Sequence, residues 1–188
     1  MDTMFLQEIE ASVTVHDLKG FGVLAAQLGP VDLGIELGRF YEFVANHVTA
    51  AGGRVVKFVG DGVLSVFLGR KDHRDLALNA VWRCLRAREE WLRESASQGR
   101  PLLDFTVGAT SGLVLAGDVG VPGMRSYDIL GRPVNFAFRL SSLAAARGTT
   151  HLVTANVYEN ASNRPPGIEV EGVEFAGKPL RLYRLDVP

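Results

Sequence analysis

Arg54–Val59 and Val63–Phe67 are two short runs rich in β-branched and aromatic residues, and only Gly60-Asp61-Gly62 separates them. So short a connection leaves two strands one arrangement, an antiparallel hairpin. A second hairpin is predicted near the C-terminus, where Ile168–Phe175 and Leu180–Leu185 flank Gly177-Lys178-Pro179. Two hairpins argue against a doubly wound parallel sheet, whose strands are joined by crossover helices.

The remaining pattern mixes helix and strand without strict alternation. Ala11–Val15 predicts a strand that runs into Asp17. From Val31 to Ala51, Leu33, Leu37, Phe40, Val44 and Val48 recur at helical spacing, and Gly52-Gly53 ends the helix. Arg74–Ala96 predicts a second long helix with Ala77, Val81, Leu85 and Trp91 inward and the charges of Arg86–Arg93 as a solvated face. Asp104–Leu115 reads as a strand, Gly117–Gly123 as a turn back into Met124–Leu130, Pro133–Ala146 as a helix and Thr149–Thr154 as a strand. This order fits an α+β fold, a ferredoxin-like antiparallel-rich sheet with helices packed on one face. No linker, repeat or low-complexity stretch divides the chain, so residues 1–188 are expected to form a single domain, and 47% hydrophobic content suffices for its core.

Composition narrows the chemistry. Lys and Arg number 20 against 21 Asp and Glu, so no basic excess points to nucleic acid. The single cysteine, Cys84, excludes an internal disulfide framework and a cysteine-built zinc site. Met1–Ser12 lacks the basic and apolar regions of a secretion signal, and no apolar stretch approaches the ~18 residues of a membrane span. A cytoplasmic setting without a membrane partner is expected. The patterns G-x-x-x-x-G-K-S/T, strand-linked G-x-G-x-x-G and G-x-S-x-G are all missing. His16, His47, His73 and His151 show no ligand-pair spacing and read as surface or core residues.

Two aspartates stand in unusual positions: Asp17 at a strand end and Asp61 in the tight turn. Carboxylates so placed can converge on one hard cation such as Mg2+, which takes oxygen ligands together with substrate phosphates. Asn135 and Arg139, four apart, share one side of the predicted helix. From spacing alone a plainer reading stands beside this one: Asp61 serves only the turn, and Asn135 and Arg139 are a surface pair.

Longer blocks carry a more specific signal. Asp17-Leu18-Lys19-Gly20-Phe21 resembles the D-I/L-x-G-F block of class III nucleotidyl cyclase catalytic domains, the adenylate and guanylate cyclases. Gly53–Gly62 resembles that family's G-x-x-V/I-K-x-I/V-G-D-G/A block, and Val107–Gly112 its V-G-I/L-x-x-G strand. Tyr127–Leu140 is similar to Y-D-x-x-G-x-x-V-N-x-A-x-R-L/M. The four blocks occur in order with compatible gaps, and the resemblance covers Val13 to Leu185.

The resemblance implies roles. Asp17 and Asp61, with the Leu18 carbonyl, would hold two Mg2+ or Mn2+ ions that activate the ribose 3′-hydroxyl and neutralise the triphosphate. Lys57 and Asp128 would read adenine, the lysine donating to N1 and the aspartate accepting from the exocyclic amine, which implies ATP as substrate. Asn135 would orient the ribose, and Arg139 would stabilise charge developing at the α-phosphate. Gly20, Phe21 and Gly22 would offer backbone N–H groups to the β- and γ-phosphates. Lys178 resembles the family's C-terminal phosphate-binding lysine, although its spacing to Tyr183 is one residue short. Gly22, Phe138 and Arg132-Pro133 depart from the usual residues, none at a catalytic position.

The family builds its sites between two chains, so a homodimer with shared active sites is implied, metal aspartates from one chain and base, ribose and phosphate contacts from the other. The expected activity is conversion of ATP to cyclic AMP and pyrophosphate. The alternatives are a catalytically silent homology module that binds and regulates, or a cyclase acting on GTP or a pyrimidine triphosphate. Regulation would come from a partner, a soluble effector or a part outside this sequence.

Overall fold

A computed structural model describes residues 6–69, 71–175 and 177–187. From the N-terminus the elements are β1 (Leu6–Leu18), α1 (Phe21–Gln27), α2 (Pro30–Ala50), β2 (Arg54–Val59), β3 (Gly62–Leu68), α3 (His73–Ser97), β4 (Phe105–Val121) and β5 (Met124–Leu130). There follow α4 (Arg132–Ala146), β6 (His151–Thr154), α5 (Ala155–Tyr158), β7 (Gly167–Val170), β8 (Glu174–Phe175), β9 (Lys178–Pro179) and β10 (Leu182–Leu185).

The Gly60-Asp61 connection closes an antiparallel β2–β3 hairpin whose last pair is Val59 with Gly62. The sheet runs β2-β3-β1-β4-β6-β10-β7, with β5 paired to β4. Its first four strands are antiparallel neighbours throughout, the arrangement of a ferredoxin-like unit. The expected α+β architecture is thus present. β6 joins β4 in parallel, which makes the extended sheet mixed.

Side chains alternate across the pleat, and each face finds its own cover. Leu18, Val63, Phe67, Phe105 and Val107 form one core with Phe40, Val44 and Val48 of α2 and Ala77, Val81 and Leu85 of α3. The opposite face carries Val13, Val15, Leu64, Val66 and Val114, packed against Ala137 of α4. The expected placement of helices on one face thus holds for α1, α2, α3 and α5, which pack into the first core, but not for α4, which covers the other side. Gly108 makes this possible: a Cβ there would lie 2.1 Å from the Ala137 carbonyl oxygen and 2.6 Å from the Ser141 nitrogen. With no side chain in the way, the helix backbone rests directly on β4, and Thr106 Oγ1 meets Ser141 Oγ at 2.8 Å.

Several elements exceed their sequence expectation. β1 extends well beyond Ala11–Val15 because it is central, pairing with β4 from Leu6–Gly117 to Leu18–Phe105. The stretch Gly117–Val121, read as part of a turn, continues β4; its backbone groups are satisfied by β5 down to the Val121–Met124 pair, leaving Pro122-Gly123 as the turn. At the C-terminus β7 and β10 do form a hairpin. Its far end is interrupted, and β8 and β9 make a separate small ribbon. Among the described residues no helix is long and apolar enough to cross a membrane.

Candidate active site

Asp17 lies at the end of β1, and Asp61 occupies the β2–β3 turn. The register sets Asp17 opposite Gly62, and the Leu18 N–H donates to the Asp61 carbonyl at 3.3 Å. The two acids are therefore neighbours, although the sequence separates them widely. Neither carboxylate has a hydrogen bond or ion pair among the described residues. Burial, and then the Asp61 charge, push Asp17 up to about 6. Half-buried like charges without a counter-charge are unfavourable alone. Their oxygens suit a hard divalent cation, which takes one or two carboxylates and fills its other positions with water and phosphate. No group of three or more His, Cys, Asp or Glu suited to a metal occurs among the described residues. A cation between Asp17 and Asp61 would complete its shell from a carbonyl such as that of Leu18, from water or from a substrate.

The turn is anchored from outside the hairpin. The Tyr41 hydroxyl of α2 donates to the Gly60 carbonyl, and the Tyr41 ring stacks on Phe58 at 4.3 Å. Gly60 itself sits at φ 59°, a left-handed conformation that a side chain would strain.

A second cluster forms where β2 approaches β5. Lys57 Nζ meets Asp128 Oδ2 at 2.6 Å, with the lysine 45% and the aspartate 15% exposed. The other Asp128 oxygen accepts from the Ile129 N–H at 2.8 Å. Beside this pair the Arg54 guanidinium lies 3.5 Å from the centre of the Tyr127 ring. The pair thus offers a donor and an acceptor side by side, open to solvent on the lysine side.

The third cluster belongs to α4. Asn135 and Arg139 are exposed and line a cavity of roughly 690 Å3 together with Arg132, Pro133, Phe136 and the β4 segment Thr110–Leu113. Neither Asp17, Asp61, Lys57 nor Asp128 lines it. Among the described residues, the candidates thus form three groups, of which only the α4 group lines this cavity.

Gly20 caps α1, with Phe21 and Gly22 in its first turn. Lys178 lies exposed in the β8–β9 ribbon, and none of the described contacts joins it to another candidate residue. Sequence reasoning missed Tyr41, Arg54 and the Lys19–Asp104–Arg88 network. Asp104 receives Lys19 at 3.0 Å and Arg88 at 2.6 Å and 2.8 Å. Burial raises the Asp104 carboxyl, but the Arg88 and Lys19 hydrogen bonds outweigh it and hold the group below its ordinary value. These partners are far apart in sequence, so no local spacing announces them. The histidines are structural: burial, then His47, pushes His16 down to about 3, while His47, His73 and His151 bond to Phe43, Ser12 and Leu185.

Comparison with known proteins adds an independent line. A family model described as the adenylate and guanylate cyclase catalytic domain matches residues 7–177. An uncharacterised protein of Mycobacterium tuberculosis is 30% identical over 126 residues, covering 67% of this chain and 23% of that protein. The adenylate cyclase of Anabaena cylindrica is 25% identical over 150 residues, covering 78% of this chain and 30% of that protein. The chain thus spans less than a third of the length of either relative. A bacterial light-regulated adenylyl cyclase superposes with a TM-score of 0.86 at 24% identity, covering 98% of this chain and 53% of that one. At that identity the likeness speaks for the fold alone.

Proposed function

The chain belongs to the adenylate and guanylate cyclase catalytic-domain family, and we propose that within it the chain is an adenylate cyclase, converting ATP to cyclic AMP and pyrophosphate. The observation that carries this reading is the Asp17–Asp61 couple, two neighbouring carboxylates without a counter-charge among the described residues, which a divalent-cation reaction uses and a merely structural domain does not need. When bound there, two Mg2+ or Mn2+ ions would lower the pKa of the ribose 3′-hydroxyl and neutralise triphosphate charge.

The chain's own groups do the rest. The ribose 3′-oxygen attacks the α-phosphorus, a new phosphorus–oxygen bond forms, and the bond to the β-phosphate oxygen breaks to release pyrophosphate. The hydroxyl proton passes to solvent. Arg139 faces the developing charge at the α-phosphate, where a preorganised donor is typically worth ~3–4 kcal/mol. Asn135 orients the ribose, the backbone of Gly20, Phe21 and Gly22 meets the terminal phosphates, and Lys178 reaches them from the C-terminal ribbon. Lys57 donates to adenine N1, and Asp128 accepts from the exocyclic amine. Their 2.6 Å contact supports this assignment, since both must touch one edge of one base.

The active site is completed by a second copy of the chain. The separation of the α4 cavity from the two aspartates supports this, as does the exposed apolar surface of Phe58, Val59, Val121 and Met124. Asp17 and Asp61 come from one protomer, and Lys57, Asp128, Asn135 and Arg139 from its partner.

The test is to incubate the protein with each nucleoside triphosphate and Mn2+ and identify products by mass. Cyclic AMP is expected, with ATP favoured over GTP by at least ~10-fold, the ~1.4 kcal/mol of one mispaired donor or acceptor. Guanine presents N1–H and O6 where adenine presents N1 and an amine, so both contacts would be mismatched. Equal rates with GTP, or a preference for a pyrimidine, would overturn the base assignment. No cyclic product from any triphosphate would make the chain a silent module.

A further inference from the structure

The Asp61 turn is held from two directions. On one side the Leu18 N–H donates to the Asp61 carbonyl at 3.3 Å. On the other, the Tyr41 hydroxyl donates to the carbonyl of Gly60, the residue immediately before Asp61. Tyr41 is half-buried on α2, and its ring is fixed in turn by stacking on Phe58 at 4.3 Å with 22° between the planes. Its neighbour Phe40 is fully buried, so the helix that carries the hydroxyl is anchored in the core. None of the sequence blocks that place Asp17, Asp61, Lys57, Asp128, Asn135 or Arg139 contains Tyr41.

A two-residue connection has few internal restraints. Gly60 lacks a side chain and occupies φ 59°, and glycine populates positive and negative φ about equally readily, so its own preference does not hold the turn in place. Rotation about Gly60 would swing the following carboxylate relative to Asp17. The carbonyl that Tyr41 grips belongs to the same peptide unit as the Asp61 N–H, so holding it fixes the plane from which the Asp61 side chain departs.

We infer that Tyr41 is a positioning residue, its hydroxyl latching the Gly60–Asp61 peptide so that the Asp61 carboxylate stands at cation-sharing distance from Asp17. The inference rests on the proposed cation-binding role of the two aspartates. It adds a residue from α2, outside the hairpin, on which the geometry of that pair depends.

The decisive variant is Tyr41→Phe, which keeps the ring and its stacking and removes only the hydroxyl. Mn2+ alone is titrated into wild type and variant, with free Mn2+ read by its paramagnetic resonance signal, so no turnover is involved. The expected result is a 3- to 10-fold weaker affinity, about the net worth of one hydrogen bond. Amide exchange at residues 60–62 is expected to quicken in the metal-free variant. In turnover, the Mn2+ concentration for half-maximal rate should rise while the KM for ATP changes less than about twofold. Unchanged Mn2+ affinity and unchanged exchange in the turn, with only a lower melting temperature, would reduce Tyr41 to a structural residue and overturn the inference. Wild type that binds Mn2+ and makes no cyclic nucleotide would sink the proposed activity and leave the latch standing; wild type that binds no Mn2+ would overturn both.

Discussion

Asp17→Asn should stabilise the metal-free protein at neutral pH. The wild-type carboxyl is raised from 3.8 to about 6, first by burial and second by the Asp61 charge. A displacement of that size corresponds to about 3 kcal/mol against the ionised form. Asp17 is only half-buried, so solvent screening reduces the realistic figure to about 1–2 kcal/mol. A carboxyl whose pKa is higher folded than unfolded binds more protons in the folded state, so wild-type stability falls as pH rises through the interval from 3.8 to about 6. The gain from asparagine, which cannot ionise, is therefore absent at pH ~3 and complete above pH ~7. For a chain of this size it corresponds to about 2–8 °C in melting temperature. Thermal unfolding with a chelator, at a series of pH values, measures it directly. Adding Mn2+ should stabilise wild type and leave the variant nearly unmoved. A variant that melts at or below the wild-type temperature at pH 8 in chelator would show that burial and the Asp61 charge together do not disfavour the ionised Asp17 carboxyl, and would refute the electrostatic account of the site.

Two further results are expected. Mixing inactive Asp61→Ala with inactive Arg139→Ala and allowing subunit exchange should recover roughly a quarter of wild-type cyclase activity, because half the dimers are mixed and each then has one intact site of two; silence after verified exchange would refute the shared site. Gly108→Ala should cost at least about 1–3 kcal/mol in urea unfolding, because the added methyl meets backbone atoms of α4 at 2.1 Å and 2.6 Å that cannot swing aside. It should also depress turnover, since the helix it lifts carries Asn135 and Arg139, and an unchanged urea midpoint would contradict the close approach.

Legibility varied with range along the chain. The β2–β3 hairpin was readable because three residues between two β-rich runs permit one pairing. The long helices α2 and α3 were readable because their inward residues recur at a period of 3.6 over many turns. α1 and α5, of seven and four residues, are too short to display a period of their own. The glycines of 117–123 misled in the other direction. Glycine is permitted in a turn, but here β5 supplies partners for the backbone and the strand simply continues.

The same division holds for the candidate site. By itself the sequence determined which chemical groups are present and in what order: Asp17, Lys57, Asp61, Asp128, Asn135 and Arg139 stand in local blocks whose spacing needs no tertiary contact to recognise. Tertiary structure alone decided what they face. It set Asp17 beside Asp61 through the β1–β3 register, joined Lys57 to Asp128 across β2 and β5, and put α4 on the sheet face opposite α2 and α3 through the missing side chain of Gly108. It also recruited Tyr41 to the turn and Arg88 to Asp104. The reason is physical: local propensity and periodicity act over a few residues, whereas burial, charge proximity and hydrogen-bond partners are properties of surfaces that exist only once distant segments have packed.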